Sequence, residues 1–349
     1  MSTPLFDDSR LEAAELEAHE GLRWLALAGA RIRRAALTRP HGHLPSAERP
    51  RGILVLGSEA RLVRAVLEPV CPVPFMAWPG PGLPAWVGPL DLAVILGGYD
   101  SPEWVLQCAA EAARRGASLI LAAPEDSELA AAGSSANTSL IPTFEDDPMA
   151  AAVAVLAQLG QLGLGPSVHP EHVADAADLV AEACAPRRDL SDNRGKELAL
   201  ELADGLPLIW GGTVLAGRAS RRIAESLRRA CGRPALAADA SELDTLLSAV
   251  PRRDPFADPF DGGGEVRPVI VLLDDDKLHD RMRGTAISLL ARAEAVGIRV
   301  ARISSGDAEL RATDVERYVT LLQQGRYGAT YLEIGLGGSV DRPAAGLAD

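Results

Sequence analysis

The feature that most constrains the fold of this chain is a pattern that occurs three times: an apolar segment, a glycine turn and a helix. The three copies read GILVLGSEARLVRAVLE from Gly52, DLAVILGGYDSPEWVLQ from Asp91 and LPLIWGGTVLAGRASRRIA from Leu206. Short, all-apolar segments that lead through glycine into a helix are typical of buried parallel strands. The sequence therefore predicts an α/β fold in which parallel sheets are covered by helices.

The pattern occurs in both halves of the chain, and this predicts two sheet domains. A length of 349 residues suits two domains, and GILVLGSEA is weakly similar to LPLIWGGTV, which suggests an internal duplication. Before the first sheet, apolar residues recur at helical spacing. We predict an N-terminal helical segment over residues 1–37, a first domain over 38–164 and a second over 165–349.

Charge and composition exclude several classes of partner. The formal net charge of −13 argues against nucleic acid or an anionic membrane as the main partner. No apolar run is long enough to span a bilayer, and the acidic N-terminus does not resemble a secretory signal. The four cysteines are scattered without a C-x-x-C pair, which favours reduced thiols. We expect a cytoplasmic protein with no nucleic-acid or membrane partner.

Three glycine turns at strand ends, in residues 57–58, 97–98 and 211–213, are candidate anion-binding sites. A helix that starts after such a turn offers free N–H donors, and glycine lets the backbone approach an oxyanion. The alternative is that the glycines only close tight turns. None of the turns matches G-x-x-x-x-G-K-[ST] or G-x-G-x-x-G, so we predict no nucleotide cofactor.

Other charged residues are candidate ligands. The helix after the third turn carries several arginines, which suit a phosphorylated ligand or form a solvated basic face. They are Arg218, Arg221, Arg222, Arg228 and Arg229. The carboxylates of Asp274–Asp276 suit a divalent ion or a solvated cap, and His169 with His172 suits zinc or a surface pair. Because no further ligand stands at a suitable spacing, we predict no metal site.

Three stretches resemble the sugar isomerase (SIS) superfamily, specifically the bacterial bifunctional phosphoglucose/phosphomannose isomerases. They read GKELALELADGLPLIWGGTVLAGRASRRIAESLRRACGRPA from Gly195, DLAVILGGYDSPEWVLQCAAEAARRGASLI from Asp91 and LLQQGRYGATYLEIGLG from Leu321. The resemblance covers most of residues 50–338. It implies two flavodoxin-like SIS domains, each a three-layer αβα sandwich. It also implies a ligand site between the domains, a role in carbohydrate metabolism and a homodimer.

The phosphate-binding positions depart from the pattern of that family. Its phosphate loop has the form S-x-S-G-N-T, whereas this chain has LGGYDS at those positions. Two carboxylates, Glu59 and Asp100, stand where a phosphate is expected. Two like charges a few ångströms apart repel by about 4 kcal/mol at an effective dielectric constant near 20. The predicted anion-binding residues are Gly57, Ser58, Gly98, Ser101, Gly211, Gly212, Thr213 and Arg229.

The catalytic positions that the resemblance implies are also altered. Arg229 stands where the family has an acid/base Glu, Thr245 where it has a His, and Met149 where an Arg follows a Pro. The family's Lys beyond the last helix has no counterpart after Gly338. None of these side chains can shuttle a proton between C1 and C2 of a sugar. We expect a protein that binds a sugar phosphate, or a related carbohydrate derivative, and has lost isomerase catalysis.

Two alternatives remain open at this stage. The first is an active glucose-6-phosphate/mannose-6-phosphate isomerase with relocated acid/base groups, for which Glu225 and His279 are the candidates, followed by Glu197 and Lys196. The second is a non-catalytic structural or regulatory subunit whose cleft is filled by side chains. The three hypotheses differ in where these groups lie, which the tertiary structure reports.

Overall fold

A computed structural model describes most of the chain and divides it into two compact units. The central unit is Leu27–Asp175, and the split unit combines Met1–Ala26 with Ala176–Leu347. No helix among the described residues is long and apolar enough to cross a membrane. The described ranges are residues 5–42, 49–144, 147–250, 266–275, 280–306 and 312–338.

The N-terminal segment is a series of short helices. Ala13 and His19 have extended backbone angles, with ψ of 137° and 120°, and these angles end the first two helical turns. The buried side chains of these turns include Leu11 and Leu16, as the helical spacing predicts. The elements are 3-10 helices Asp8–Glu12 and Ala14–Ala18, then α1 (Glu20–Ala26) and α2 (Ala28–Leu37).

The central unit contains one six-stranded sheet with the order β1-β6-β5-β4-β2-β3. All neighbouring strands are parallel except β1, which pairs antiparallel with β6. Its elements after α2 are β1 (His41–Gly42), β2 (Ile53–Gly57), α3 (Ala60–Leu67), β3 (Phe75–Ala77), β4 (Leu92–Leu96), α4 (Glu103–Arg114), β5 (Ser118–Ala123), α5 (Glu128–Ala132), β6 (Thr138–Pro142) and α6 (Pro148–Gln161).

Helices cover both faces of this sheet, as the α/β prediction requires. On one face Leu54 and Ile95 pack against Cys108 of α4 and Leu129 of α5, while α3 and α6 contact each other and the strands on the other face. From β2 the chain runs first to the edge strand β3 and then to β4 on the opposite side. The order β3-β2-β4-β5-β6 is flavodoxin-like, and its topological switch point lies between β2 and β4.

Two strands of this sheet are short and lie in proline-containing segments. β3 lies within the Pro-rich segment of residues 69–89, and β1 lies within the linker of residues 38–51. Both are edge strands, where proline is tolerated because one side of the strand makes no ladder hydrogen bonds. The sheet is therefore parallel, as predicted, except at β1, whose two residues pair with β6 in the opposite direction.

The split unit contains a four-stranded parallel sheet with the order β10-β9-β7-β8. On one face Trp210 and Leu272 pack against Leu243 and Leu289 of two covering helices. The elements are α7 (Pro170–Ala183), in which the two units divide, α8 (Arg194–Leu202), β7 (Gly205–Gly211), α9 (Val214–Cys231), β8 (Leu236–Ala237), α10 (Ala240–Ala249), β9 (Arg267–Asp274), α11 (Asp280–Ala295), β10 (Arg299–Ser304) and α12 (Asp314–Gly335).

Helix α12 is the most deeply buried helix element of the split unit among the described residues. It packs against α8 and α9, and most of its 22 residues are buried, including residues on all faces of the helix. Close approach depends on glycine: a Cβ at Gly325 would crowd Ile223, and one at Gly328 would crowd Leu198. The N-terminal segment covers the end of this helix, where the Asp7 N–H donates to the Gly335 carbonyl at 2.9 Å.

Candidate functional site

Two of the glycine turns lie side by side at the switch point of the central sheet. Gly57 at the end of β2 is in register with Leu96 at the end of β4, and the Ser58 N–H donates to the Leu96 carbonyl at 2.9 Å. Gly57 has a φ of +94°, and a Cβ there would overlap the Leu96 carbonyl oxygen. Ligands of open α/β sheets bind in the crevice at such a switch point, beyond the carboxyl ends of the strands.

The turn after β4 is closed by its own serine. The Gly98 N–H donates to Ser101 Oγ at 3.1 Å, and that hydroxyl donates to the Gly98 carbonyl at 2.9 Å. A side chain at Gly97 would collide with Ser101 Oγ and with Leu129. Two predicted anion donors, the Gly98 N–H and the Ser101 hydroxyl, are therefore bonded to each other. An anion that binds here has to replace that hydrogen bond.

Three carboxylate residues, Glu59, Asp100 and Asp126, follow the strands β2, β4 and β5 of this sheet. Glu59 is buried with a left-handed φ of 51°, whereas Asp100 is exposed. The Tyr99 hydroxyl donates to Asp126 at 2.7 Å just beyond the end of β5. No described residue pairs with the Ser58 hydroxyl, which leaves it available as a donor. The carboxylates oppose an anionic ligand, so binding depends on local hydroxyl and N–H donors.

The third turn lies at the switch point of the other sheet, between β7 and β9. Thr213 is the N-cap of α9, and its Oγ1 accepts from the Ala216 N–H at 3.0 Å. The same hydroxyl donates to Asp275 Oδ2 at 2.6 Å. A Cβ at Gly211 would overlap the backbone of Ala216, so glycine is required for the turn. This turn therefore already binds a carboxylate of the same chain, that of Asp275.

Asp275 is the centre of a buried ion-pair network that sequence reasoning missed. Its side chain is 1% exposed, and its Oδ1 accepts from Arg317 Nε at 2.7 Å. Arg317 also donates to Asp314 at 2.8 Å. The neighbouring Asp274 is exposed, whereas Asp276 lies outside the described residues. The DDD motif was the only sequence signal at this place, and nothing local to it indicates Arg317 as the partner.

Glu225 and Arg229 contact each other on α9. Glu225 makes ion pairs with Arg222 at 2.8 Å and with Arg229 at 2.9 Å. Glu225 stands a little over three helical turns, or roughly 18 Å along the axis, beyond Thr213. Arg229, a predicted anion-binding residue, is therefore paired with Glu225, a predicted catalytic residue. Both residues lie far along α9 from the glycine turn that precedes this helix.

The remaining acid/base candidates lie in separate places. Lys196 is buried, and its Nζ donates to the carbonyls of Pro186 and Arg188, each at 2.7 Å. Burial lowers the pKa of Lys196. Glu197 is exposed in the first turn of α8, and His279 lies outside the described residues. The buried Lys196 ammonium thus stabilises the loop after α7. Among the described residues, it contacts neither Glu197 nor Glu225.

The residues at the other altered positions make ordinary structural contacts. The Thr245 hydroxyl donates to the Ser241 carbonyl at 3.0 Å within α10, and Met149 is buried in α6. The rings of His169 and His172 lie 5.3 Å apart. Across the described ranges, no group of three or more His, Cys, Asp or Glu residues is arranged to hold a metal.

The two switch-point sheets define a flavodoxin-like α/β class, as the SIS resemblance implies, and solved structures show the likeness of fold. The C-terminal domain of glucosamine-fructose-6-phosphate aminotransferase from Francisella tularensis is similar with a TM-score of 0.64 and 13% identity, over 93% of this chain and 98% of that chain. Tagatose-6-phosphate ketose/aldose isomerase from Escherichia coli has a TM-score of 0.62 and 15% identity, over 94% of each chain.

A glucose-6-phosphate isomerase like protein from Thermus thermophilus has a TM-score of 0.53 and 18% identity, over 94% of this chain and 93% of that chain. No family model and no curated protein matches the sequence. The chain therefore has the SIS fold, as the resemblance of its sequence predicts.

Proposed function

We propose that this chain binds a sugar phosphate or a related carbohydrate anion and no longer catalyses aldose–ketose isomerisation. The observation that carries the proposal is the pair of glycine turns, after β2 and β4, at the switch point of the central sheet. The names of the similar structures denote proteins that act on phosphosugars, which supports the same class of ligand here.

The donors for the phosphate are the Ser58 hydroxyl, the Gly98 N–H and the Ser101 hydroxyl. The phosphate replaces the Gly98–Ser101 hydrogen bond, whose geometry already directs a hydroxyl at the N–H. Charge-assisted hydrogen bonds are stronger than the neutral bond that is lost. The nearby carboxylates of Glu59 and Asp100 reduce the affinity through like-charge repulsion.

The loss of catalysis is supported by the contacts of the candidate groups. Glu225 is held by two guanidinium groups, and Lys196 by two carbonyls. An acid/base group must reach the proton that it moves, directly or through one water. Both side chains are instead engaged by other groups of the split unit. These contacts favour loss of catalysis over relocation of the acid/base role to Glu225 or Lys196.

Removal of the Asp100 charge should tighten binding of fructose 6-phosphate about 1.4- to 5-fold, because an exposed charge interaction is worth roughly 0.2–1 kcal/mol. Titration calorimetry on Asp100→Asn and on the unmodified protein measures this change, with fructose as the uncharged ligand. Glu15→Gln removes another exposed charge, in the split unit, and should leave the affinity unchanged. Equal affinities of the two variants for fructose 6-phosphate would contradict the proposed site.

A coupled assay of fructose 6-phosphate conversion tests the loss of isomerase activity. We expect no glucose 6-phosphate and no mannose 6-phosphate above background, with a known isomerase active under the same conditions. Turnover that Glu225→Gln abolishes would instead establish the active alternative with relocated groups. The calorimetric result stays informative in either case, because it reports binding and not turnover.

A structural or regulatory subunit without a small ligand is the second candidate. It is favoured by the internal closure of two turns, through the Gly98–Ser101 and Thr213–Asp275 hydrogen bonds. The absence of any heat or stabilisation with phosphosugars would support it over the first. For either function we infer a cytoplasmic homodimer, from the family resemblance and the scattered cysteines. Light scattering on the purified protein tests the dimer.

A further inference from the structure

We propose that Asp275 is a built-in occupant of the glycine turn of the split unit and closes that turn to external anions. This inference goes beyond the proposed function and does not rest on it. The turn of residues 211–213 ends β7, and Asp275 follows β9, so the two lie on either side of the switch point of this sheet. The hydrogen bond between Asp275 and Thr213 therefore bridges the crevice in which proteins of this architecture bind ligands.

The two oxygens of the carboxylate have different partners. Oδ2 accepts from the Thr213 hydroxyl at 2.6 Å, and Oδ1 accepts from Arg317 Nε at 2.7 Å. Asp275 is 1% exposed and Arg317 is 5% exposed, so the contact is shielded from water. The carboxylate joins the first turn of α9 to the first turn of α12.

An external anion would need the same donors. A hydroxyl and a guanidinium are the groups that recognise carboxylates and phosphates, and at this place both already bind Asp275. A second anion would also be repelled by the buried carboxylate, where screening by solvent is weak. In the central sheet the Gly98 N–H is instead occupied by the neutral Ser101 hydroxyl, and the nearby carboxylates of Glu59 and Asp100 act on an anion through their charge alone. The two switch points therefore differ in their access to anions.

The test is chemical rescue of Asp275→Ala by formate. The substitution leaves Thr213 and Arg317 facing a space of the size of the missing carboxylate. We expect Tm to fall by roughly 5–10 °C, less than for a fully uncompensated buried charge because Arg317 keeps Asp314. Formate should raise the Tm of the variant by several degrees in a saturable manner, through binding to the folded state.

Asp274→Ala is the matched control, because it removes an adjacent, exposed carboxylate with the same change in net charge. Neither this control nor the unmodified protein should respond to formate. The proposal is overturned if Asp275→Ala is as stable as the unmodified protein, or if formate stabilises both alanine variants equally.

A double-mutant cycle keeps the proposal testable if Asp275→Ala does not fold. Asp275→Asn and Thr213→Val each remove part of the contact while they conserve side-chain size. We expect the double variant to lose less Tm than the sum of the two single losses, because both substitutions break one interaction. Additive losses would show that the turn does not hold the carboxylate and would overturn the proposal.

Discussion

Gly57→Ala should lower the free energy of unfolding by roughly 2–5 kcal/mol. Two effects add: a left-handed conformation costs a side-chain-bearing residue about 1–2 kcal/mol, and an overpacked site typically costs about 1–3 kcal/mol. Gly57 has a φ of +94°, and its Cβ would overlap the backbone oxygen of Leu96. That oxygen cannot rotate away, because it lies at the end of a central strand and accepts from the Ser58 N–H.

Urea unfolding of Gly57→Ala measures this loss, and Gly82→Ala separates its two causes. Gly82 has a φ of +81°, but a Cβ there meets no atom within 4 Å. The control should therefore lose only the conformational part, about 1–2 kcal/mol. Equal losses for the two variants would mean that the contact with Leu96 is not a tight one.

Asp147→Ala should lower the free energy of unfolding by about 4–6 kcal/mol. Asp147 makes a buried ion pair with Arg31, and breaking such a pair by removal of one partner costs about 3–5 kcal/mol. Its Oδ1 also caps α6 by accepting from the N–H groups of Met149 and Ala150. Loss of an N-cap adds about 1 kcal/mol. Thermal and urea unfolding should both report the change.

Asp147→Asn distinguishes the ion pair from the cap. The amide oxygen can still accept from the first turn of α6, but the charge opposite Arg31 is removed. We expect an intermediate loss, smaller than that of Asp147→Ala by about the value of the cap. An alanine variant as stable as the unmodified protein would show that the ion pair does not stabilise the central unit.

The elements that the sequence predicts well are those with a local signal. β2, β4 and β7 are short apolar runs that end at glycine, and the helices that follow them have helical spacing. By contrast β1 and β3 are only two and three residues long and exist because a neighbouring strand offers hydrogen bonds. The buried position of helix α12 depends on tertiary packing, because Gly325 and Gly328 let Ile223 and Leu198 approach its backbone closely.

At the candidate site, too, the sequence predicted the local features and not the long-range contacts. The glycine positions were predictable, since a tight turn after a strand requires residues such as Gly57 and Gly211. Their partners were not: Thr213 and Asp275 are 62 residues apart in the chain, and Asp275 and Arg317 are 42 apart. No periodicity or spacing in one sequence encodes which of many arginines meets which carboxylate.

The sequence by itself determined the class of fold and the places where turns must be glycine, because apolar periodicity and the sterics of a missing Cβ act over a few residues. Only the tertiary structure decided what those turns contact. Strand order places the turns after β2 and β4 side by side, and it places Asp275 against Thr213. Burial makes the Asp275–Arg317 pair necessary, because a charge that is shielded from water is stable only beside a charge of opposite sign.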